Sequence, residues 1–222
     1  MSSSLYGPEA AKILLDIKAV NFRPEEPYIL TSGWASPVYI DCRKLISYPK
    51  ERKRMMEMAV DVLQANGALD GLDAVAGGET AGIPYAAWIA DSTGQPMLYV
   101  RKKPKGFGRN AQIEGDMAEG SKVLLVEDLA TDGASKITFI NALRDAGGKV
   151  TDSFVVFFYG VFSGAEKTLE DEGVKLHYLA TWHDVLSVAE EGKYFPPEAI
   201  EGVRAFLKDP AAWSAAHGGK SG

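Results

Sequence analysis

Val123-Leu-Leu-Val-Glu-Asp-Leu-Ala-Thr-Asp-Gly-Ala-Ser135 is the stretch whose reading decides the fold. Val123 to Val126 form a short apolar run that ends abruptly in the adjacent carboxylates Glu127 and Asp128, which predicts a buried parallel strand rather than a helix. A helix is predicted after the turn, because Ile137, Ile140 and Leu143 recur at helical spacing, with Ser135 as N-cap and Gly147-Gly148 as the stop. A loop at the carboxyl end of a parallel strand that enters a helix N-terminus favours anions through its backbone N–H groups and the helix dipole. Thr131, Asp132, Gly133, Ala134 and Ser135 are small enough for their amides to wrap one phosphate, whereas Glu127 and Asp128 would repel it. Two ligand parts are implied: vicinal sugar hydroxyls for the carboxylates and a phosphate for the amide cradle.

Outward from this stretch, Met97 to Val100 reads as the preceding strand, and Arg101-Lys-Lys-Pro-Lys-Gly-Phe-Gly-Arg109 leaves it. Five of these nine residues are cationic. Gly106, Gly108, Gly115 and Pro104 argue against regular structure, so a mobile basic loop is expected with no nearby acidic run to neutralise it. Right-handed crossovers would bring this loop to the same carboxyl edge as Glu127 and Asp128. Farther upstream, Tyr28 to Asp41 gives two β-like runs around Ser32-Gly33, a hairpin by its turn chemistry. Pro8 to Val20 and Pro49 to Asn66 read as amphipathic helices. Asp73 to Ala76 is a short strand, followed by Gly77-Gly-Glu-Thr-Ala-Gly82 and a helix from Ile83 to Ala90. These glycines do not match the dinucleotide-binding spacing, and a tight phosphate-approaching turn fits better. Downstream, Phe154 to Tyr159 and Lys175 to Ala180 read as strands flanking a helix from Ala165 to Glu172. Five βα units are thus expected between residues 70 and 190, followed by a helix over Glu198 to Leu207. A small-residue tail from Ala211 is expected to fray.

Glu127 to Ser135, with Leu129 and Ala130 between the acids and the turn, resembles the phosphoribosyl-pyrophosphate (PRPP) binding motif of type I phosphoribosyltransferases. The likeness is strongest to that of the orotate phosphoribosyltransferases. Arg101, Lys102 and Lys105 resemble the start of that family's catalytic loop, and Ser32-Gly-Trp-Ala-Ser-Pro-Val-Tyr39 resembles its Ser-Gly-x-x-Ser-Pro-x-Tyr segment, part of a small hood over the base. The resemblance covers roughly residues 28 to 160. It implies a catalytic role for Lys102, Lys105, Glu127 and Asp128, and PRPP binding by Arg101, Lys102, Lys105, Arg109 and residues 127 to 135. It also implies orotate binding by Thr131 and Tyr39, and Mg²⁺ held mainly through PRPP rather than by a protein cage. For Gly77, Gly78 and Glu79 it implies a pyrophosphate-contacting loop, with plain packing equally open. The chain departs from the family pattern at three places: Thr31 where many members carry Lys, Phe107 where many carry His, and Tyr159-Gly-Val-Phe-Ser-Gly164 where many carry an Arg that binds the orotate carboxylate.

With 222 residues, 46% hydrophobic and 24% charged, and a net charge of −6, the composition is that of a soluble globular protein without the global positive charge usual for nucleic-acid binding. One cysteine excludes an internal disulfide, and three scattered histidines lack metal-ligand spacing. No signal pattern or membrane-length apolar run is evident, so a cytoplasmic location and no membrane partner are expected. The reading is a single doubly wound α/β domain over residues 1–222, with a hood from about 1–45, a mainly parallel core over about 50–190, and a C-terminal helix and tail over 191–222. The implied activity joins orotate to PRPP, giving orotidine 5′-monophosphate and pyrophosphate, in a homodimer whose loop 101–115 is shared across the interface. A purine-type phosphoribosyltransferase and a non-catalytic PRPP sensor that binds nucleic acid are the alternatives.

Overall fold

The computed structural model describes residues 5–30, 32–105, 112–131, 134–161 and 165–220. In chain order the elements are α1 (Gly7–Asp16), β1 (Val20–Phe22), β2 (Tyr28–Ile29), β3 (Ala35–Ser36), β4 (Val38–Ile40), a 3-10 helix (Cys42–Ser47), α2 (Pro49–Ala65), β5 (Ala74–Gly78) and α3 (Gly82–Thr93). Then follow β6 (Met97–Val100), β7 (Ile113–Glu114), β8 (Lys122–Ala130), α4 (Ala134–Asp145), β9 (Lys149–Phe158), α5 (Ala165–Asp171), β10 (Lys175–Thr181), α6 (Trp182–Glu191), α7 (Pro197–Lys208) and α8 (Pro210–Ala216).

The main sheet runs β10-β9-β8-β5-β6-β7, parallel except for β7, which pairs antiparallel with β6. Helices cover both faces, so the central strands are largely apolar on both sides. Along β8 the side chains alternate: Val123 and Leu125 join the core formed by Phe139, Ile140 and Leu143 of α4, while Leu124 and Val126 join the one containing Tyr85 and Ile89 of α3. The chain moves outward from β5 to β6, returns across β5 to β8, and then proceeds the other way to β9 and β10. The carboxyl ends of β5 and β8 therefore lie side by side at a topological switch point, the place where open α/β sheets bind ligands.

Among the described residues, four strands of the main sheet, not five, are followed by a helix, and β6 leads instead into the basic segment and β7. The first helix stops at Asp16, because Lys18 turns the chain at φ 57° and Val20–Phe22 pairs with Val38–Ile40. The expected hairpin is present as β2 and β3, closed by the Leu30 N–H donating to the Trp34 carbonyl at 2.8 Å, with Gly33 at φ 88°. The described part of the tail, to Lys220, is tied down rather than frayed. Asp209 caps α8 by accepting from the Ala212 N–H at 3.0 Å, and Trp213 packs edge-on against Phe206. Beyond α8 the Lys220 N–H donates to the Gly33 carbonyl at 2.8 Å, and Ser214 Oγ accepts from the Ala35 N–H at 2.9 Å. The C-terminal segment thus braces the hairpin. From the sheet side the buried Tyr159 hydroxyl reaches the same region, 3.1 Å from Ser36 Oγ and donating to the Val38 carbonyl at 3.2 Å.

Candidate active site

At the switch point a cavity of about 500 Å³ opens between the turn after β5 and the end of β8, lined by Glu79, Thr80, Lys102, Glu127, Asp128 and Thr131 among others. The sequence suggested that the strand ended before the acids. It continues to Ala130, because pairing with β9 persists through Glu127↔Val155, Leu129↔Phe157 and Ala130↔Phe158. Side chains on a strand alternate, so the two acids leave on opposite faces.

Glu127 lies on the α4 face and is 9% exposed. It accepts a hydrogen bond from Lys136 Nζ at 2.9 Å, and the same ammonium donates to the Leu129 carbonyl at 2.7 Å. Gly78 makes room for this carboxylate, since a Cβ there would stand 2.7 Å from Glu127 Oε1. Gly77 and Gly78 accordingly belong to β5, and the turn proper is Glu79-Thr80-Ala81, whose first peptide bond is cis. Gly82 has a similar purpose, because a Cβ there would meet the Val126 carbonyl oxygen at 2.3 Å and block the docking of α3 against β8.

Asp128 faces the other side, toward the 3-10 helix of the hood. It pairs with Arg43, whose Nε is 3.8 Å from Oδ2, and the Arg43 and Asp128 side chains are 73% and 17% exposed respectively. Burial raises the Asp128 carboxyl above its ordinary value, and the charge of Glu127 adds to the effect. The strand also positions Leu129, which lines the cavity, and Ala130, which is buried and whose carbonyl accepts from the Tyr159 N–H at 2.8 Å. Thr131 lines the cavity beyond them. The helix begins at Ala134, so Ser135 lies inside its first turn rather than at the cap. Asp132 and Gly133 lie outside the described residues, as do the side chains of Ala134 and Ser135.

Residues 106–111, the middle of the expected loop, lie outside the described residues, and the described flanks of the basic segment are tied to the sheet. The Tyr99↔Glu114 and Val100↔Ile113 pairs fold it back on β6, and the Lys102 N–H donates to Glu79 Oε2 at 2.7 Å. Its charge does have an acidic neighbour: Glu114 pairs with Lys105 and, at 3.4 Å, with Arg101. Hydrogen bonding from Lys105 holds the Glu114 carboxyl below its ordinary value. Lys102 lines the cavity, while Lys105 rests on Glu114.

A protein from Allorhizobium ampelinum named orotate phosphoribosyltransferase is 54% identical over 211 residues, covering 95% of this chain and 92% of that one. The chain belongs to the orotate phosphoribosyltransferase family. The crystal structure of orotate phosphoribosyltransferase from Aeropyrum pernix matches 84% of this chain and 99% of its own, with a TM-score of 0.69 and 33% identity. The structure of Leishmania donovani UMP synthase matches 90% of this chain with a TM-score of 0.77 and 29% identity; this chain spans 42% of that longer one. No protein-family model matches the chain.

Against the family pattern, the structure brings Lys102, Glu127, Asp128, Leu129 and Thr131 to one cavity. Tyr39 is elsewhere, 44% exposed with its ring 5.3 Å from that of Tyr28. Thr31, Phe107, Arg109 and residues 162–164 lie outside the described residues. Two residues were missed. Arg43 carried no motif to mark it. Lys136 carried one faint signal, a cation in the first turn of a helix, where the dipole disfavours positive charge. Among the described residues, no helix is long and apolar enough to cross a membrane, and no group of three or more His, Cys, Asp or Glu side chains is placed to hold a metal ion.

Proposed function

We propose that the chain is a pentosyltransferase that moves the 5-phosphoribosyl group of PRPP to orotate, releasing pyrophosphate and orotidine 5′-monophosphate. The observation that carries this reading is the single cavity at the switch point, where two carboxylates, the end of β8 leading toward the α4 N-terminus, and Lys102 converge. The anomeric carbon loses a good leaving group and becomes cationic before the base nitrogen attacks, so positioning and electrostatics do most of the work. Glu127 and Asp128 accept hydrogen bonds from the ribose 2′- and 3′-hydroxyls, and their charge stabilises the oxocarbenium-like centre. Residues 131 to 135 hold the 5′-phosphate at the helix N-terminus. Lys102, with Arg101, Lys105 and Arg109 on the same segment, takes the departing pyrophosphate and excludes water, and Thr131 meets orotate.

Asp128 is a hard oxygen donor lining the cavity, and with no protein cage among the described residues Mg²⁺ would be held mainly by PRPP, where it would supply charge neutralisation at the diphosphate. The chain works in the cytoplasm as a homodimer whose segment 101–115 serves the partner's site. The resting place of Lys105, on Glu114 rather than in its own cavity, supports that arrangement.

PRPP consumption with Mg²⁺ and a panel of bases tests the reading. Turnover with orotate and none with adenine, hypoxanthine or guanine is expected; turnover with a purine base and none with orotate would overturn it.

A further inference from the structure

Lys136 stands where elementary electrostatics does not favour a cation. It is the third residue of α4, in a first turn whose free N–H groups prefer negative charge, and it is 1% exposed. A buried ammonium is costly unless it is paired and hydrogen-bonded. Its partners are Glu127 Oε2 at 2.9 Å and the Leu129 carbonyl at 2.7 Å. Glu127 and Leu129 both line the cavity, whereas Lys136 stands behind them. From the opposite direction Glu127 Oε1 and the Phe139 ring close on Gly78, where a Cβ would stand 2.7 Å from the oxygen and 2.9 Å from the ring. The carboxylate is therefore held on two sides, and only glycine at position 78 leaves it that place.

We propose that Lys136 is a positioning residue for PRPP: its ammonium fixes the Glu127 carboxylate as a charged acceptor in the cavity and, through the Leu129 carbonyl, fixes the end of β8 that leads into the anion-binding turn. One buried side chain thereby aligns the sugar-binding and phosphate-binding halves of the site before substrate arrives, the preorganisation that electrostatic catalysis requires. The proposal rests on the reading of Glu127 as a ribose ligand. It places the effect of Lys136 chiefly on PRPP, because its side-chain partner Glu127 is the ribose ligand in that reading.

The test compares wild type, Lys136→Met, Glu127→Gln and the double variant, with each substrate varied against saturating amounts of the other and thermal melting followed alongside. Lys136→Met is expected to lower kcat/KM for PRPP by about 30-fold or more while the KM for orotate changes by less than about threefold. On the Glu127→Gln background the same substitution is expected to cost less than about threefold, since there is no carboxylate left to hold. A loss of structure alone would weaken both substrates together, so equal rises in the two KM values would overturn the proposal. A PRPP effect below about threefold would do the same, as would a full penalty on the Glu127→Gln background. If Lys136→Met is not recovered folded, Lys136→Gln, which keeps an N–H donor and loses the charge, carries the same kinetic comparison with the same expected split. Should the wild type turn over no orotate, the functional reading fails by itself, and PRPP titration calorimetry decides this proposal: Lys136→Met must bind PRPP at least about tenfold more weakly than wild type, and equal affinity would overturn it.

Discussion

On the α4 face of the sheet Glu127 meets a buried ammonium 2.9 Å away; on the opposite face, one residue later, Asp128 meets a guanidinium at 3.8 Å that is itself 73% exposed. The first carboxylate has its ion-pair partner inside the protein. The second is nearly as buried, and among the described residues its one ion pair is to an arginine that water screens. Burial and the neighbouring Glu127 charge raise its pKa, which is another way of saying that its ionised form costs folding energy. Two residues that look equivalent in the sequence thus have different tasks: one acid is held still, and the other keeps a charge that folding does not use. Groups that cost stability in a cavity are where reactivity is expected.

The largest effect that can separate the two faces is the removal of the held acid. Glu127→Ala leaves Lys136 buried without its carboxylate, and the expected loss is about 3–5 kcal/mol of unfolding free energy, read from urea denaturation. An equal loss for Asp128→Ala would erase the distinction. Next in size, Gly78→Ala places a Cβ 2.7 Å from Glu127 Oε1 and 2.9 Å from the Phe139 ring. Overpacking of this kind costs about 1–3 kcal/mol, and the displaced carboxylate is expected to lower kcat/KM for PRPP more than about tenfold, or ~1.4 kcal/mol. Unchanged kinetics would mean that the position of Glu127 is of no consequence to the reaction. The smallest effect belongs to the basic segment. Glu114→Ala releases Lys105 and Arg101 from a solvent-facing pair, and the melting temperature should stay where it is, because exposed ion pairs contribute little. A clear drop would show that the segment is anchored as firmly as the carboxylates are.

Much of this was legible in the sequence, for physical reasons. The apolar run Val123–Val126 and the helical spacing of Ile137, Ile140 and Leu143 specify a strand and a helix through burial alone, and both formed. The extension of β8 through Glu127 to Ala130 was not legible, because it depends on the partner strand β9 rather than on local preference. That extension is also what places the two acids on opposite faces. The Lys136 pairing bridges nine residues across a turn, and Arg43 arrives from the hood, so neither has a local pattern. The small-residue tail from Ala211 was expected to fray; Asp209 and Trp213 supplied the cap and the anchor of the helix Pro210–Ala216 that opens it. The Glu114 partner of Lys105 stood in plain view, yet only the return of β7 along β6 brings them together.

Asp128→Asn tests the central claim most directly, by measuring turnover and stability on the same protein. The folded chain binds the Asp128 proton more tightly than the unfolded chain, whose carboxyl keeps its ordinary value of 3.8. As pH rises through that value and then through the raised folded one, ionisation subtracts from stability, and at neutral pH the whole cost is present. The amide keeps the shape and removes the charge. Asp128→Asn should therefore melt higher than wild type at pH 7, lose that advantage below the ordinary carboxyl range, and turn over more than about tenfold more slowly, a barrier increase above ~1.4 kcal/mol. A variant that melts lower at pH 7, or that keeps its turnover within tenfold, would contradict the account of a carboxylate whose charge is held for the reaction.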